Sequence, residues 1–317
     1  MKTILLSLLF LLVPKLSISQ VTENDKKILM DSLWKETTDV NYKYYRIIKD
    51  YYLEKESYKI LDYYKNGVLQ MEGMSKTRDD NSKIGEYNWY YENGNKKSTS
   101  NYKDGEVFGK ELEWYENGNK KLEGEYTDED FETGRSYKTN QYWNPNNQQI
   151  IIDGNGHYES NTKYYLDKGD YKNGVKNGVW TGISYQNNYT YSEEYNNGLL
   201  ISGLTVDSDG SKHTYTVMDT KPKPKKGIQD FYNYIGNKFN YSKESMNYKI
   251  KGKILIEFVV NAEGKIVEPK IIEGLGFGLD EEAIRVVINY NNWIPGEQRG
   301  RKVRNSYSIP ISIDASN

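Results

Sequence analysis

Over residues 228–313 the spacing of apolar positions changes between two periods, and each change falls at turn residues. From Lys253 to Val260 apolar and polar positions alternate, with Ile254, Ile256, Phe258 and Val260 on one face, the period of a half-buried strand. Asn261-Ala262-Glu263-Gly264 closes a turn, and Lys265 to Glu273 predicts the returning strand. Ahead of this hairpin, Ile228, Phe231, Tyr232, Ile235 and Phe239 recur at helical spacing and predict an amphipathic helix. Behind it, Leu279, Ala283, Val286, Val287 and Tyr290 predict a second helix over 279–289, with Asp280, Glu281 and Glu282 at its positive N-terminal end. A last alternation sets Val303, Tyr307, Ile309, Ile311 and Ile313 against Arg304, Ser306, Ser308 and Ser312. It predicts a strand over 303–313, which Pro310 places at a sheet edge or a bulge because proline has no ladder donor. The order helix, strand, strand, helix, strand predicts an α+β domain over 228–317.

The preceding region has a different texture, tyrosine pairs separated by polar turns. Tyr91-Glu-Asn-Gly-Asn-Lys-Lys97 returns unchanged as Tyr115-Glu-Asn-Gly-Asn-Lys-Lys121, an internal repeat displaced by 24 positions. Looser copies begin at Tyr102, Tyr142, Tyr171 and Tyr195, several with a second glycine a few residues on, as at Gly109, Gly178 and Gly203. Asn-Gly and Asp-Gly predict two-residue hairpin turns, so residues 61–217 are expected to form a mainly β array of hairpins that stack to hide aromatic faces. Upstream, Ile28, Leu29, Leu33 and Trp34 sit at helix-like spacing with Asp31 and Lys35 four apart, which predicts a short helix within a lead segment of residues 20–60. Residues 218–227 contain Met218-Asp-Thr-Lys-Pro-Lys-Pro-Lys-Lys226 and read as a stiff solvated linker between domains.

Composition narrows the function classes. The 317 residues allow two domains, and 31 tyrosines compensate for an apolar share of 36%. A net charge of −2 disfavours nucleic acid and anionic membranes as partners. Lys2 followed by the apolar run Ile4 to Val13, Pro14, and the small residues Ser17 and Ser19 reads as a secretory signal over 1–19. The run is short of the roughly twenty residues that span a bilayer, so an exported, periplasmic or envelope-associated mature chain is expected, with an uncleaved anchor as the alternative. There is no cysteine for a disulfide or a lipid anchor.

Catalytic and cofactor chemistry finds no support, and neither an enzyme activity, a metal nor a small-molecule cofactor is expected. Gly274-Leu-Gly-Phe-Gly278 has the wrong spacing for a dinucleotide loop, and the acids at 280–282 would repel phosphate. Asp207-Ser-Asp-Gly210 and Asp153-Gly-Asn-Gly156 lack the further ligands of a calcium loop and read as hairpin turns. His157 and His213 have no cysteine to complete a zinc set. Glu193-Glu194 and Asp128-Glu-Asp130 read as solvated charges.

The tyrosine-rich strands, Tyr-x-Asn-Gly turns and paired glycines of 61–217 resemble the bacterial variant of MORN repeats, including antitoxins of the YwqK type, and the resemblance implies an interaction or scaffolding surface. At the C-terminus, Ile250-x-Gly252, Phe258-Val-Val-x-x-x-Gly264, Leu279-Asp280 with Ala283, Trp293-x-Pro295-Gly296, Gly300-x-x-Val303 and Ile309-Pro310-Ile311 form an ordered set. Together they resemble the C-terminal domain of TonB energy transducers, with Tyr241-Ser242 where that family often has Tyr-Pro. The resemblance implies that the last strand takes up an extended peptide, the TonB box of outer-membrane receptors, as an added strand. Val303, Arg304, Asn305, Ser306, Tyr307, Ser308 and Ile309 would be the edge, and Gln298, Arg299, Arg301 and Arg304 would meet an acidic peptide. The plainer reading makes 299–304 a solvated loop that protects the edge. The expected partner is an outer-membrane receptor or another envelope protein, with membrane contact only through partners. Force transmission in that family needs a transmembrane helix and a long Pro-rich span, so binding without transduction is expected. The alternatives are a membrane-anchored transducer and a structural or glycan-binding repeat scaffold.

Overall fold

The computed structural model describes residues 21–127 and 136–316. The secretory signal over 1–19 and the acids at 128–130 lie outside the described residues. The chain divides into two compact units, one of residues up to Gly156 with Asn173–Val175, the other of His157–Lys172 and Lys176 onward.

The first unit is a ten-stranded antiparallel meander in sequence order. Its strands are β1 (Lys26–Met30), β2 (Tyr44–Ile48), β3 (Tyr58–Tyr64), β4 (Leu69–Ser75), β5 (Lys83–Tyr90), β6 (Lys96–Lys103), β7 (Glu106–Trp114), β8 (Lys120–Thr127), β9 (Ser136–Trp143) and β10 (Gln149–Ile151). The expected lead helix is absent. Residues 26–30 pair with 44–48 instead, Trp34 takes φ 59°, and the Asp31 carboxylate accepts the Leu33 and Lys35 amides. An isolated helix of this length is marginal, so pairing with a neighbouring strand prevails. Both faces of the sheet carry apolar clusters, Ile48, Tyr58, Ile60, Met71 and Tyr87 in one and Ile47, Leu61 and Tyr63 in the other.

The repeat is explained by its turns. Within Tyr91-Glu-Asn-Gly-Asn95 the Gly94 amide bonds the Tyr91 carbonyl, the Tyr91 amide bonds the Asn95 carbonyl, and Gly94 alone takes positive φ. Tyr115 to Asn119 repeats these bonds. These are three-residue loops closed by a left-handed glycine, not the expected two-residue turns, which form only where both central residues go left-handed, as at Asp104-Gly105 and Asn197-Gly198. Each loop also binds the next: the Tyr64, Tyr91 and Tyr115 hydroxyls donate to the carbonyls of Tyr90, Trp114 and Trp143 at 2.8–2.9 Å.

The second unit opens with a six-stranded meander, β11 (Gly156–Asn161), β12 (Tyr165–Lys172), β13 (Val175–Ser184), β14 (Tyr189–Asn196), β15 (Leu199–Asp207) and β16 (Lys212–Tyr215). The repeats are therefore two sheets, and the first begins well before residue 61. Glycines on one strand lie under aromatic rings of the next. A Cβ at Gly169, Gly182 or Gly203 would enter the rings of Trp180, Tyr191 or Tyr215.

The expected linker carries β17 (Asp219–Thr220) and β18 (Lys223–Pro224). After it come α1 (Ile228–Lys238), α2 (Lys243–Asn247), β19 (Lys251–Val260), β20 (Ile266–Glu273), α3 (Leu279–Ile288), β21 (Trp293–Ile294), β22 (Gly296–Gln298), β23 (Arg301–Val303) and β24 (Asn305–Asp314). β17 pairs with β22 and β18 with β21, so the segment is held by backbone hydrogen bonding, while the side chains of Lys221, Lys223, Lys225 and Lys226 stay exposed. The short α2 is an unforeseen element, capped by Ser242, whose Oγ accepts the Ser245 amide at 3.0 Å. β20, β19 and β24 form a three-stranded sheet. Phe231 of α1 and Leu279, Ala283, Val286 and Val287 of α3 close its core over Ile254, Ile256, Phe258 and Val260, all wholly buried.

Candidate functional site

The three-stranded sheet has two edges of different quality. β20 departs from regular pairing at two places and contains Pro269 and, at Glu268, a φ of 54°, features that blunt an edge against further pairing. β24 runs in unbroken register against β19 from Asn305↔Val260 to Asp314↔Lys251. Pro310 sits within that ladder opposite Leu255 without an amide to donate. In an antiparallel pair, residues alternate between pointing both backbone groups at the partner and pointing both away. The proline therefore marks the outward parity, and Ser306, Ser308 and Ser312 direct N–H and C=O to the open side. Their side chains are exposed, whereas Ile309, Ile311 and Ile313 are buried.

Of the residues expected to form the edge, Asn305, Ser306, Tyr307, Ser308 and Ile309 lie on β24. Tyr307 is half-buried against Trp293, with ring centroids 4.9 Å apart, and against Phe258 at 5.8 Å. Val303 falls on β23, where it pairs with Gly296. Arg304 stands between the two strands, and its guanidinium reaches Glu268 at 2.8 Å on the exposed side.

The arginines expected to greet a peptide are engaged within the unit. β22 and β23 form a hairpin with Gln298 opposite Arg301 and a two-residue tip, Arg299-Gly300, with φ 49° and 72°. The tip is seated on the six-stranded sheet. Arg299 Nε lies 2.6 Å from Glu193 Oε1, and its guanidinium carbon lies 3.8 Å from the centre of the Tyr191 ring. Thr205 Oγ1 donates to the Arg299 carbonyl at 3.0 Å, and the Arg299 amide donates to Met218. Arg301 pairs with Asp207 at 2.7 Å above the Tyr189 ring. Gln298 is exposed and forms the backbone pair with Asp219.

Glu193 is the residue that sequence reasoning misjudged. It was expected to be solvated beside Glu194, yet its side chain has no exposure, and it also accepts the Tyr215 and Tyr195 hydroxyls at 2.7 and 3.0 Å. Burial pushes its carboxyl up, and the bonds from Arg299, Tyr215 and Tyr195 more than offset this and hold it below the usual glutamate range. On the tyrosine side, burial and the carboxylate raise both hydroxyls above their ordinary values. The available signal was the strand period, since Tyr191, Glu193 and Tyr195 share the buried face of β14.

The remaining polar motifs resolve as local structure. His157 pairs with Asp170 and His213 with Asp207, and no group of three metal-ligating side chains occurs among the described residues. The Asp207–Gly210 and Asp153–Gly156 stretches make hairpin turns. In the glycine-rich loop, Asp280 accepts the Leu275 and Gly276 amides that a phosphate would need. No described helix is long and apolar enough to cross a membrane.

No curated protein and no solved structure matches this chain. The model of the family described as the Gram-negative bacterial TonB protein C-terminal matches residues 237–312, from the end of α1 into β24, so this segment is similar to the C-terminal domain of those proteins.

Proposed function

We propose that the chain is an exported, non-enzymatic envelope protein whose C-terminal domain takes up an extended peptide of an outer-membrane receptor as a fourth strand on β24. The observation that carries this reading is the ten-residue regular edge with outward backbone groups at Ser306, Ser308 and Ser312, in the segment that matches the TonB C-terminal family. In strand addition the main chain supplies the affinity and alternate side chains the selection. With Arg299 and Arg301 paired to internal acids, the acidic peptide expected from sequence loses its recognition element, and a neutral peptide suits the exposed serines better. Pulling on a partner is not needed for this function.

The test uses ten-residue peptides drawn from N-terminal segments of outer-membrane receptors, with the full chain labelled for amide exchange. Binding should protect the amides of Ser306, Ser308 and Ser312. Ser306→Pro together with Ser308→Pro removes two outward donors at positions of the same parity as the native Pro310, so the pairing with β19 should survive. At about 1 kcal/mol per hydrogen bond, affinity should fall at least about tenfold. Binding that leaves these amides unprotected, or ignores both prolines, would refute the reading.

A further inference from the structure

We infer that Glu193 is a positioning residue for the β24 edge, and that the six-stranded sheet is the mount that fixes the presenting strand in place. The inference rests on the reading of β24 as a peptide-binding edge and adds to it a role for a residue that no peptide touches. Only Arg304 separates β24 from β23: Val303 closes the hairpin and Asn305 opens the edge. Whatever holds the hairpin tip therefore fixes the entrance of the edge.

The tip is held as a built socket. Glu193 is wholly buried, and its two oxygens are set by the Tyr195 and Tyr215 hydroxyls before Arg299 is counted. An arginine in such a socket has its orientation fixed by the planar fork and by the ring beneath it. Here that ring is Tyr191, 3.8 Å away. The backbone is held as well, through Thr205 to the Arg299 carbonyl. At Gly300 a Cβ would come within 3.0 Å of the Thr214 carbonyl and 3.3 Å of the Tyr215 ring, and φ is 72°. All of these groups belong to β14, β15 and β16. A buried carboxylate left without its cation is strongly disfavoured, so the socket stays filled and the edge stays registered. The consequence is that a partner bound at β24 is coupled to the repeat sheet through a fixed joint and not a tether.

Two substitutions in the full chain unseat the tip by independent routes. Glu193→Gln removes the charge from the socket; Gly300→Ala disturbs the seat and its left-handed backbone while leaving Glu193 intact. Both should speed amide exchange over 296–306, leave β19 amides at 254–260 protected, and weaken binding of the tightest receptor-segment peptide about tenfold, the scale of coupling through a packed network. The loss should appear in the dissociation rate, and Glu193→Asp should restore part of it. Faster exchange with unchanged peptide affinity would make the socket merely structural and overturn the inference, as would unchanged exchange. If the unsubstituted chain binds no receptor-segment peptide, the reading of β24 itself falls; if it binds and Glu193→Gln leaves affinity and dissociation unmoved, only the positioning role falls.

Discussion

The C-terminal core and the repeat sheets bury large side chains by opposite means. Around β19 the buried set is aliphatic and phenylalanine, closed by two helices, with Ile254, Ile256, Phe258, Leu279 and Val286 wholly shielded. In the sheets the shielded rings are Tyr87 and Trp180, laid over glycines of the neighbouring strand. Their polar atoms are satisfied locally: Tyr87 donates to Asp80 at 2.6 Å, and Trp180 to the Asp170 carbonyl at 3.0 Å. Ile48, Ile60 and Ile151 are shielded there too, but the largest side chains that the sheets bury are aromatic bodies with polar tips. Stability in one region comes from filled volume and in the other from glycine-to-ring fit and hydrogen bonds.

The largest expected effect is a cavity in the closed core. Phe258 meets Phe231, Trp293 and Tyr307 at ring-centroid distances of 5.5–6.2 Å, and Phe258→Ala should cost about 3–5 kcal/mol, read as a shift of the denaturation midpoint at constant slope. In the sheets the corresponding lesion is overfilling. Gly169→Ala drives a methyl into the Trp180 ring and should cost about 1–3 kcal/mol, accompanied by a change in tryptophan fluorescence. If Gly169→Ala proves neutral while Phe258→Ala is costly, the ring-over-glycine account of the sheets is wrong.

The contrast also explains what the sequence revealed. Two-fold alternation at Ile254, Ile256, Phe258 and Val260 and helical spacing at Leu279, Ala283, Val286 and Val287 report a closed core directly, and both elements appear within two residues of expectation. Pro310 likewise announced the edge, because a missing donor is a property of the residue itself. The turn type was not legible from Asn-Gly alone: the same dipeptide closes a three-residue loop at Asn93-Gly94 and a two-residue turn at Asn197-Gly198, and ladder register decides between them. Ile28, Leu29 and Leu33 suit a helix locally, and only pairing with residues 44–48 overrides it. The Glu193 socket was only half legible: the strand period shared with Tyr191 and Tyr195 sets Glu193 apart from its exposed neighbour Glu194, but the cation that fills the socket stands 106 residues away.

Two buried arginine–carboxylate pairs sharpen the comparison by pH, the smallest effect expected. In the first unit Arg46 grips Asp62 at 2.7 Å, and in the second Arg299 grips Glu193 at 2.6 Å. Burial is the foremost influence on both acids, but it prevails at Asp62, whose carboxyl is raised, and is outweighed at Glu193, whose carboxyl is lowered. Asp62 also feels the repulsion of Asp80, whereas Glu193 is held by two tyrosine hydroxyls besides its arginine. A lowered carboxyl contributes stability that is present above the ordinary glutamate value of about 4.3 and is lost as pH falls through the folded value. A raised one contributes in the opposite sense, fully below the ordinary aspartate value of about 3.9 and fading as pH rises through the folded value. Acidification from pH 7 should therefore loosen the Arg299 tip relative to β2 and β3. Amide exchange corrected for its intrinsic pH dependence should show the ratio of protection at Arg299 to that at Arg46 falling with acid, and Glu193→Gln should flatten the trend. A ratio that rises with acid would mean that burial wins at Glu193 as it does at Asp62.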